Sequence, residues 1–263
     1  MEVILIFLTS FLATLTSILT RSELFLMEII IAAFASMTID LLIKNNAIYR
    51  VKTILDYNLP TPRWWENIEV IILSHSLFTS SIYKKTIHLN KNGCKNSNNE
   101  FRSKLLSIFI KKSNKLNLGA SLCLLLALPI ATFFSNKFFF GVFLYLAIIR
   151  AISRSVEIII AFSLDVIEDT PPKTPLNKHD RIKLAINSYF ENIINYASIY
   201  MTYNYHEPLF QKGILDSIGR GTLTNINIDK NTDLVLQYII YLQAFTSIVL
   251  ITLSLAIYVG RKK

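Results

Sequence analysis

Apolar runs of bilayer-spanning length recur along this chain, and they decide what it can fold into. A membrane-spanning helix needs about 20 predominantly apolar residues. Six stretches come near that length: residues 3–19, 24–43, 118–134, 138–160, 184–203 and 234–259. Of the 263 residues, 52% are hydrophobic and only 17% are charged, whereas a soluble domain carries about a quarter. The expected fold is therefore an all-α polytopic membrane protein with about six transmembrane helices. The chain opens Met1-Glu2-Val3, with no basic region, and no small-residue cleavage site follows the first apolar run. The first helix is thus expected to stay in place rather than leave as a signal peptide.

The charges are concentrated in one segment. Residues 44–117 hold 13 Lys/Arg and four acids, and 13 − 4 = +9 equals the net charge of the whole chain. Positive charge next to a span marks the cytoplasmic side and favours anionic lipid. Residues 165–183, with Lys173, Lys178, Arg181 and Lys183, and the tail Arg261-Lys262-Lys263 are basic as well. With six spans all three segments fall on one side, and the short or nearly neutral connections (residues 21–23, 136–137 and 204–233) fall on the other. The topology read from this has both termini on the cytoplasmic side of a plasma membrane. Nothing in the basic segment forms a nucleic-acid-binding motif, so no nucleic-acid partner is expected.

Within that segment Trp64-Trp65 precedes an amphipathic run to Tyr83, which suits an interfacial helix. Residues 101–110 read as a second short amphipathic helix, with Leu105, Leu106, Phe109 and Ile110 on one side. Residues 89–100 between them are Asn/Lys/Ser-rich and expected to be mobile. Cys94 and Cys123 fall in different environments, so no disulfide is expected. His75, His88, His179 and His206 lack metal-ligand spacing, and no metal or cofactor site is read. Pro129 should kink the third span.

Ionisable residues at membrane depth are costly and mark protein or water contacts. Arg150, Arg154 and Glu157 follow each other at spacings of four and three, near one helix face. Either the helix leaves the bilayer near Arg150 and the three are interfacial, or they form an internal ion-pair set that orients the last helices. Asn187, Glu191 and Asn195 make a polar stripe at i, i+4, i+8. It serves either as interhelical glue, with Glu191 paired to Arg150 or Arg154, or as the lining of a water-filled vestibule. Tyr200, Tyr203 and Tyr205 suit the outer interface.

The segment between the last two spans contains an apolar turn, three glycines and the run Thr222-Leu223-Thr224-Asn225-Ile226-Asn227. A re-entrant pore loop needs backbone carbonyls aimed at an axis and small or hydroxyl residues near it. Ser217, Gly219, Gly221, Thr222 and Thr224 meet that need, although Arg220 is a poor neighbour for a cation unless it is paired or at the rim. An ordinary loop joining two helices is the alternative. Residues 213–222 lack the phosphate-loop pattern, and no nucleophile–base pair or zinc motif stands out, so no enzyme is expected.

From Arg150 to the C-terminus the chain resembles bacterial two-helix potassium-channel-like pore domains carrying extra N-terminal spans. The matching segments are Arg154-Ser-Val-Glu157, Arg181-Ile-Lys-Leu, Asn187-Ser-Tyr-Phe-Glu191 and the loop from Ser217 to Asn227. The resemblance implies a re-entrant filter-like loop, a homotetramer, and an ion pathway formed by Thr222, Thr224, Asn225, Ile226 and Asn227 for a monovalent cation. Where potassium filters end in Gly-Tyr-Gly, this chain has Asn225-Ile226-Asn227, so potassium selectivity is expected to be weak or lost. The domain division that follows is a hairpin (1–43), a basic segment (44–117), a second hairpin (118–167), a linker (168–183) and a pore-like unit (184–263). Two function classes stay open. One is an ion-conducting pore. The other is a non-conducting membrane protein whose basic loop binds anionic lipid or a cytosolic partner.

Overall fold

Long apolar runs without alternation become long helices. The computed structural model of the chain describes residues 23–55, 99–133, 137–167, 176–203, 210–228 and 232–260. Among these residues the secondary structure is all helical: α1 (Glu23–Leu55), α2 (Asn99–Phe133), α3 (Lys137–Ile167), α4 (Lys178–Tyr203), α5 (Phe210–Gly221) and α6 (Leu234–Gly260). Two stretches are long and apolar enough to cross a membrane, Leu26–Ala47 in α1 and Leu234–Ala256 in α6. Only 22% of the first and 44% of the second is buried within the protein, so much of their apolar surface is left exposed. The expected span at 3–19 and the interfacial helix at 64–83 lie outside the described residues.

Three helices differ from the expected boundaries, α4 by starting at Lys178 within the expected linker. α1 continues past the apolar run, through Lys44 to Leu55. α2 is continuous from Asn99 to Phe133 with Pro129 inside it, so the amphipathic stretch at 101–110 is the first part of the same helix. At 1.5 Å per residue α1 and α2 are each about 50 Å long, well beyond the roughly 30 Å of a hydrocarbon core.

α3 occupies the centre and packs on α1, α4 and α6, while α2 packs on α1 and α4. Side-chain pairings give the directions. Lys44 meets Ser113 and Glu157, and Arg150 meets Asp40 and Asn117. α1 and α3 therefore run one way and α2 the other. Lys111–Asp180 and Asn114–Ser188 make α4 parallel to α2, and Asn192–Ser247 with Tyr200–Gln243 turn α6 back against α4. The core between these helices is built from Ala147, Ile148, Ala151, Tyr196, Ile199, Tyr200, Ile239 and Ile240.

Local signals fix the ends of the two helices that flank the short α5. Asn177 caps α4: its side-chain oxygen accepts from the Asp180 amide at 2.7 Å, satisfying one of the free N–H groups of the first turn. At the start of α6 the Gln237 amide donates to the Asp233 carbonyl at 3.0 Å, and the Gln237 side chain donates to the Thr232 carbonyl at 2.8 Å.

Candidate functional site

The twelve residues of α5 sit against α4 and α6. Small residues set the distance. A Cβ on Gly213 would stand 3.0 Å from the backbone nitrogen of Met201, and one on Gly221 would stand 2.9 Å from Ile193 Cγ1 and 3.4 Å from Gln243 Nε2. Both glycines are buried. Polar bonds then fix the rotation of α5. Ser217 Oγ donates to the Ile193 carbonyl at 2.6 Å. Gln243 Nε2 donates to Ser217 O at 2.9 Å and shares a contact with Ser217 Oγ at 3.0 Å. Tyr200 OH donates to Gln243 Oε1 at 2.7 Å, and Tyr189 OH donates to the Gly221 carbonyl at 3.0 Å. Ser217 and Gln243 are fully buried, where a polar group without partners costs about 1–3 kcal/mol. These bonds resist rolling of α5.

The C-terminus of α5 ends in a Schellman turn. The Thr224 amide donates to the Gly219 carbonyl at 2.9 Å and the Leu223 amide to the Arg220 carbonyl at 3.2 Å, the two bonds that define the motif. The left-handed position in that motif is usually glycine. Here it is Leu223, with φ of 62°. A side chain in this region costs on the order of 1–2 kcal/mol. The turn releases an exposed segment in which Thr222, Thr224, Asn225, Ile226 and Asn227 all present surface. Thr222 Oγ1 donates to the Ile218 carbonyl at 2.8 Å, lies 2.9 Å from Thr224 Oγ1, and Thr224 Oγ1 also reaches the Gly219 carbonyl at 3.2 Å. Arg220 turns away from the segment, its guanidinium 4.2 Å above the Tyr200 ring, a cation–π arrangement.

A second polar centre joins four helices. Arg154 on α3 holds Glu191 on α4 through two bonds, Nε to Oε1 at 2.6 Å and Nη2 to Oε2 at 2.9 Å. It also pairs with Glu157 on its own helix. Glu157 accepts from Lys44 of α1 at 3.3 Å, and Lys44 donates to Ser113 of α2 at 2.9 Å. One turn away Arg150 bonds Asp40 at 3.1 Å and Asn117 at 3.2 Å. Five of the six charged side chains are no more than 5% exposed, and Glu157 is 13%. The set is neutral, Lys44, Arg150 and Arg154 against Asp40, Glu157 and Glu191, which is what charges removed from water require.

The four charged residues singled out in the sequence therefore lie together, with Arg154, Glu157 and Glu191 in one chain of bonds and Arg150 beside them. Asp40, Lys44, Ser113 and Asn117 complete the set and were not singled out. The available signal was the i, i+4 spacing of Asp40 and Lys44 at the end of an apolar run. Glu191 and Asn195 of the polar stripe face protein and are buried, and Asn187 is half-buried. Two expectations change. Ser217 and Gly221, read as pore-facing, point into the α4–α6 cleft, because Ile193 and Gln243 bond or crowd them there. Tyr200, read as interfacial, is 2% exposed and is spent on Gln243 and Arg220. Among the described residues no group of three or more His, Cys, Asp or Glu side chains is disposed to hold a metal ion. The chain matches no family model, no curated protein and no solved structure.

Proposed function

We propose that the protein is a multi-pass membrane protein whose α4–α5–α6 unit forms one quarter of a homotetrameric cation pore, with weak or lost selectivity for potassium. The observation that carries this reading is α5 itself. It is a short helix wedged between two long antiparallel ones, locked against rolling, and ended by a turn that frees Thr222 to Asn227 on the surface. An isolated hairpin loop needs none of these bonds. The C-terminal end of a helix carries about half a negative charge, which favours a cation beside Thr222 and Thr224. The stacking of Arg220 on Tyr200 holds the opposing positive charge to one side. Loss of glycine at residues 225–227 removes the backbone freedom that lets carbonyls converge on a bare cation, and Asn amides add donors that repel it. A wider, hydrated path follows.

Purified protein reconstituted in bilayers tests this by its reversal potential between potassium and sodium. The expected value lies near zero, with a fourfold particle in a native-like membrane mimetic. Strong potassium selectivity would refute the filter assignment, and a monomer would remove the pore.

A second reading, a non-conducting membrane interaction protein, draws on the same loop. The hydroxyls of Thr222 and Thr224 donate to carbonyls of α5's last turn, so they are engaged within the subunit. A fourfold ring that passes no current would favour it.

A further inference from the structure

Arg220 is held by a ring that is itself held. Its guanidinium carbon lies 4.2 Å above the centre of the Tyr200 ring. The Tyr200 hydroxyl donates to Gln243 Oε1 at 2.7 Å, and the other end of the same amide donates to Ser217 O and Oγ at 2.9 and 3.0 Å. Tyr200 and Gln243 are both buried, so the ring is a fixed platform. Arg220 is only half-buried and makes no salt bridge among the described residues. Asp216 stands one turn before it on the same helix, yet the guanidinium goes to the ring. Arginine is among the side chains that lose most freedom on ordering, so it stays in one place only where something holds it. Its backbone already belongs to the turn: the Arg220 carbonyl accepts from the Leu223 amide at 3.2 Å, and Thr222 follows two positions on. Without the ring, Arg220 is a positive charge within reach of the exposed segment.

We propose that Tyr200 sets the charge selectivity of the path at Thr222 to Asn227, as a positioning residue that keeps Arg220 out of it. The inference rests on the pore reading and adds to it the choice between cation and anion. In a homotetramer every charge beside the segment is repeated in each subunit. Released guanidiniums would form a basic ring, the arrangement that favours anions. With the guanidiniums withdrawn, a cation meets hydroxyls, carbonyls and the negative end of α5 instead. The residue type at 220 matters as much as its charge. A guanidinium is planar, weakly hydrated and stacks on an aromatic face, whereas an ammonium is a compact, strongly hydrated point charge. Arginine therefore fits the Tyr200 platform better than lysine would.

The full chain reconstituted in bilayers tests this under a potassium chloride gradient, where the reversal potential reports potassium against chloride. Tyr200→Leu removes the ring. A unit charge about 4 Å from an ion in water changes its energy by about 1 kcal/mol, about fivefold in a ratio, so the potassium-to-chloride permeability ratio should fall by about fivefold or more. Adding Arg220→Gln to Tyr200→Leu removes the released charge and should return the ratio to that of Arg220→Gln alone, a rescue that a merely structural loss at residue 200 would not show. Arg220→Lys leaves Tyr200 in place and should lower the ratio in the same direction, which keeps the test decisive where Tyr200→Leu fails to fold. Phenylglyoxal labelling of Arg220 in proteoliposomes, read by mass, needs no current. A stack worth about 1 kcal/mol corresponds to labelling about fivefold faster in Tyr200→Leu than in the wild type or in Tyr200→Phe, which keeps the ring. A ratio unchanged in Tyr200→Leu and Arg220→Lys, no rescue in the double variant, or equal labelling of Arg220 in the wild type and Tyr200→Leu would each overturn the proposal. Absence of current from the wild type would instead overturn the pore reading, and the selectivity with it, whatever the labelling shows.

Discussion

Replacing Glu191 by Gln removes one charge from a neutral buried set and leaves its shape nearly unchanged. Of the two bonds from Arg154 to α4, at 2.6 and 2.9 Å, the Gln oxygen can accept one, while its NH2 group sets a donor against the other guanidinium N–H; the pairing with Glu157 stays. The six-charge set would then carry +1 at a place where Glu191 is fully buried and Arg154 is 5% exposed. Breaking a buried pair from one side costs about 3–5 kcal/mol. The remaining Glu157 partner puts the cost near the lower end, about 3 kcal/mol. For a chain of this size each kcal/mol moves the midpoint by about 2–4 °C, so Glu191→Gln should lower Tm by roughly 6–12 °C in detergent or nanodiscs.

The network also predicts an order. Arg154→Gln takes from Glu191 both of its bonds to the guanidinium and from Glu157 one of its partners, leaving it Lys44, and should cost most. Glu157→Gln removes a carboxylate that is 13% exposed, from which water can partly replace it, and should cost least. Arg154→Gln combined with Glu191→Gln removes both ends of the main pair, so its cost should fall below the sum of the two singles. Thermal unfolding monitored by circular dichroism measures all four. A shift for Glu191→Gln within about 1 °C, or a larger one for Glu157→Gln, would mean that Arg154 is not anchored on α4 and that the reasoning fails.

Two glycines should respond in opposite ways. Gly213→Ala drives a methyl into the Met201 backbone at 3.0 Å and should cost about 1–3 kcal/mol, whereas Gly119→Ala, on the α2 helix with nothing within 4 Å of the new Cβ, should stabilise by about 0.5–1 kcal/mol; unfolding midpoints of the two variants decide. At Leu223 the left-handed φ of 62° should outweigh polarity, so Leu223→Asn should keep more stability than Leu223→Val, and the reverse order would show that side-chain burial rules this site. The Lys111 hydrogen bond holds the Asp180 carboxyl below its ordinary value. A depressed folded pKa stabilises above the unfolded value and the gain disappears as pH falls through the folded one, so the small Tm difference between wild type and Asp180→Asn should persist at neutral pH and vanish in acid below the usual carboxylate range.

What could be read from residues alone was the identity of the helices, because an apolar run's length and lack of charge are properties of the run itself. α6 is the clearest case: Leu234–Ala256 passes any test of length and polarity. Helix ends were less legible, since α1 and α2 carry through their polar portions without a break, in α2 even across Gly119, and a change in composition is not by itself a stop signal. Partner choice was the least legible. The i, i+3 spacing already put Arg154 beside Glu157, and the polar stripe offered Glu191 to Arg150 or Arg154, but choosing between the two arginines requires knowing that α3 and α4 pack antiparallel with those levels matched. Asp40 and Lys44 looked like the end of a span for the same reason: only the packing of α1 against both α2 and α3 makes that end buried. The facing of α5 follows the same logic. Successive helical residues differ by about 100° in direction, so Ser217 and its neighbour Ile218 meet different surroundings. Ser217 turned inward because Ile193 and Gln243 offered it bonds in the cleft, and Ile218 remained 41% exposed. Residue type thus set which side chains needed partners, and the register between helices set which partners they found.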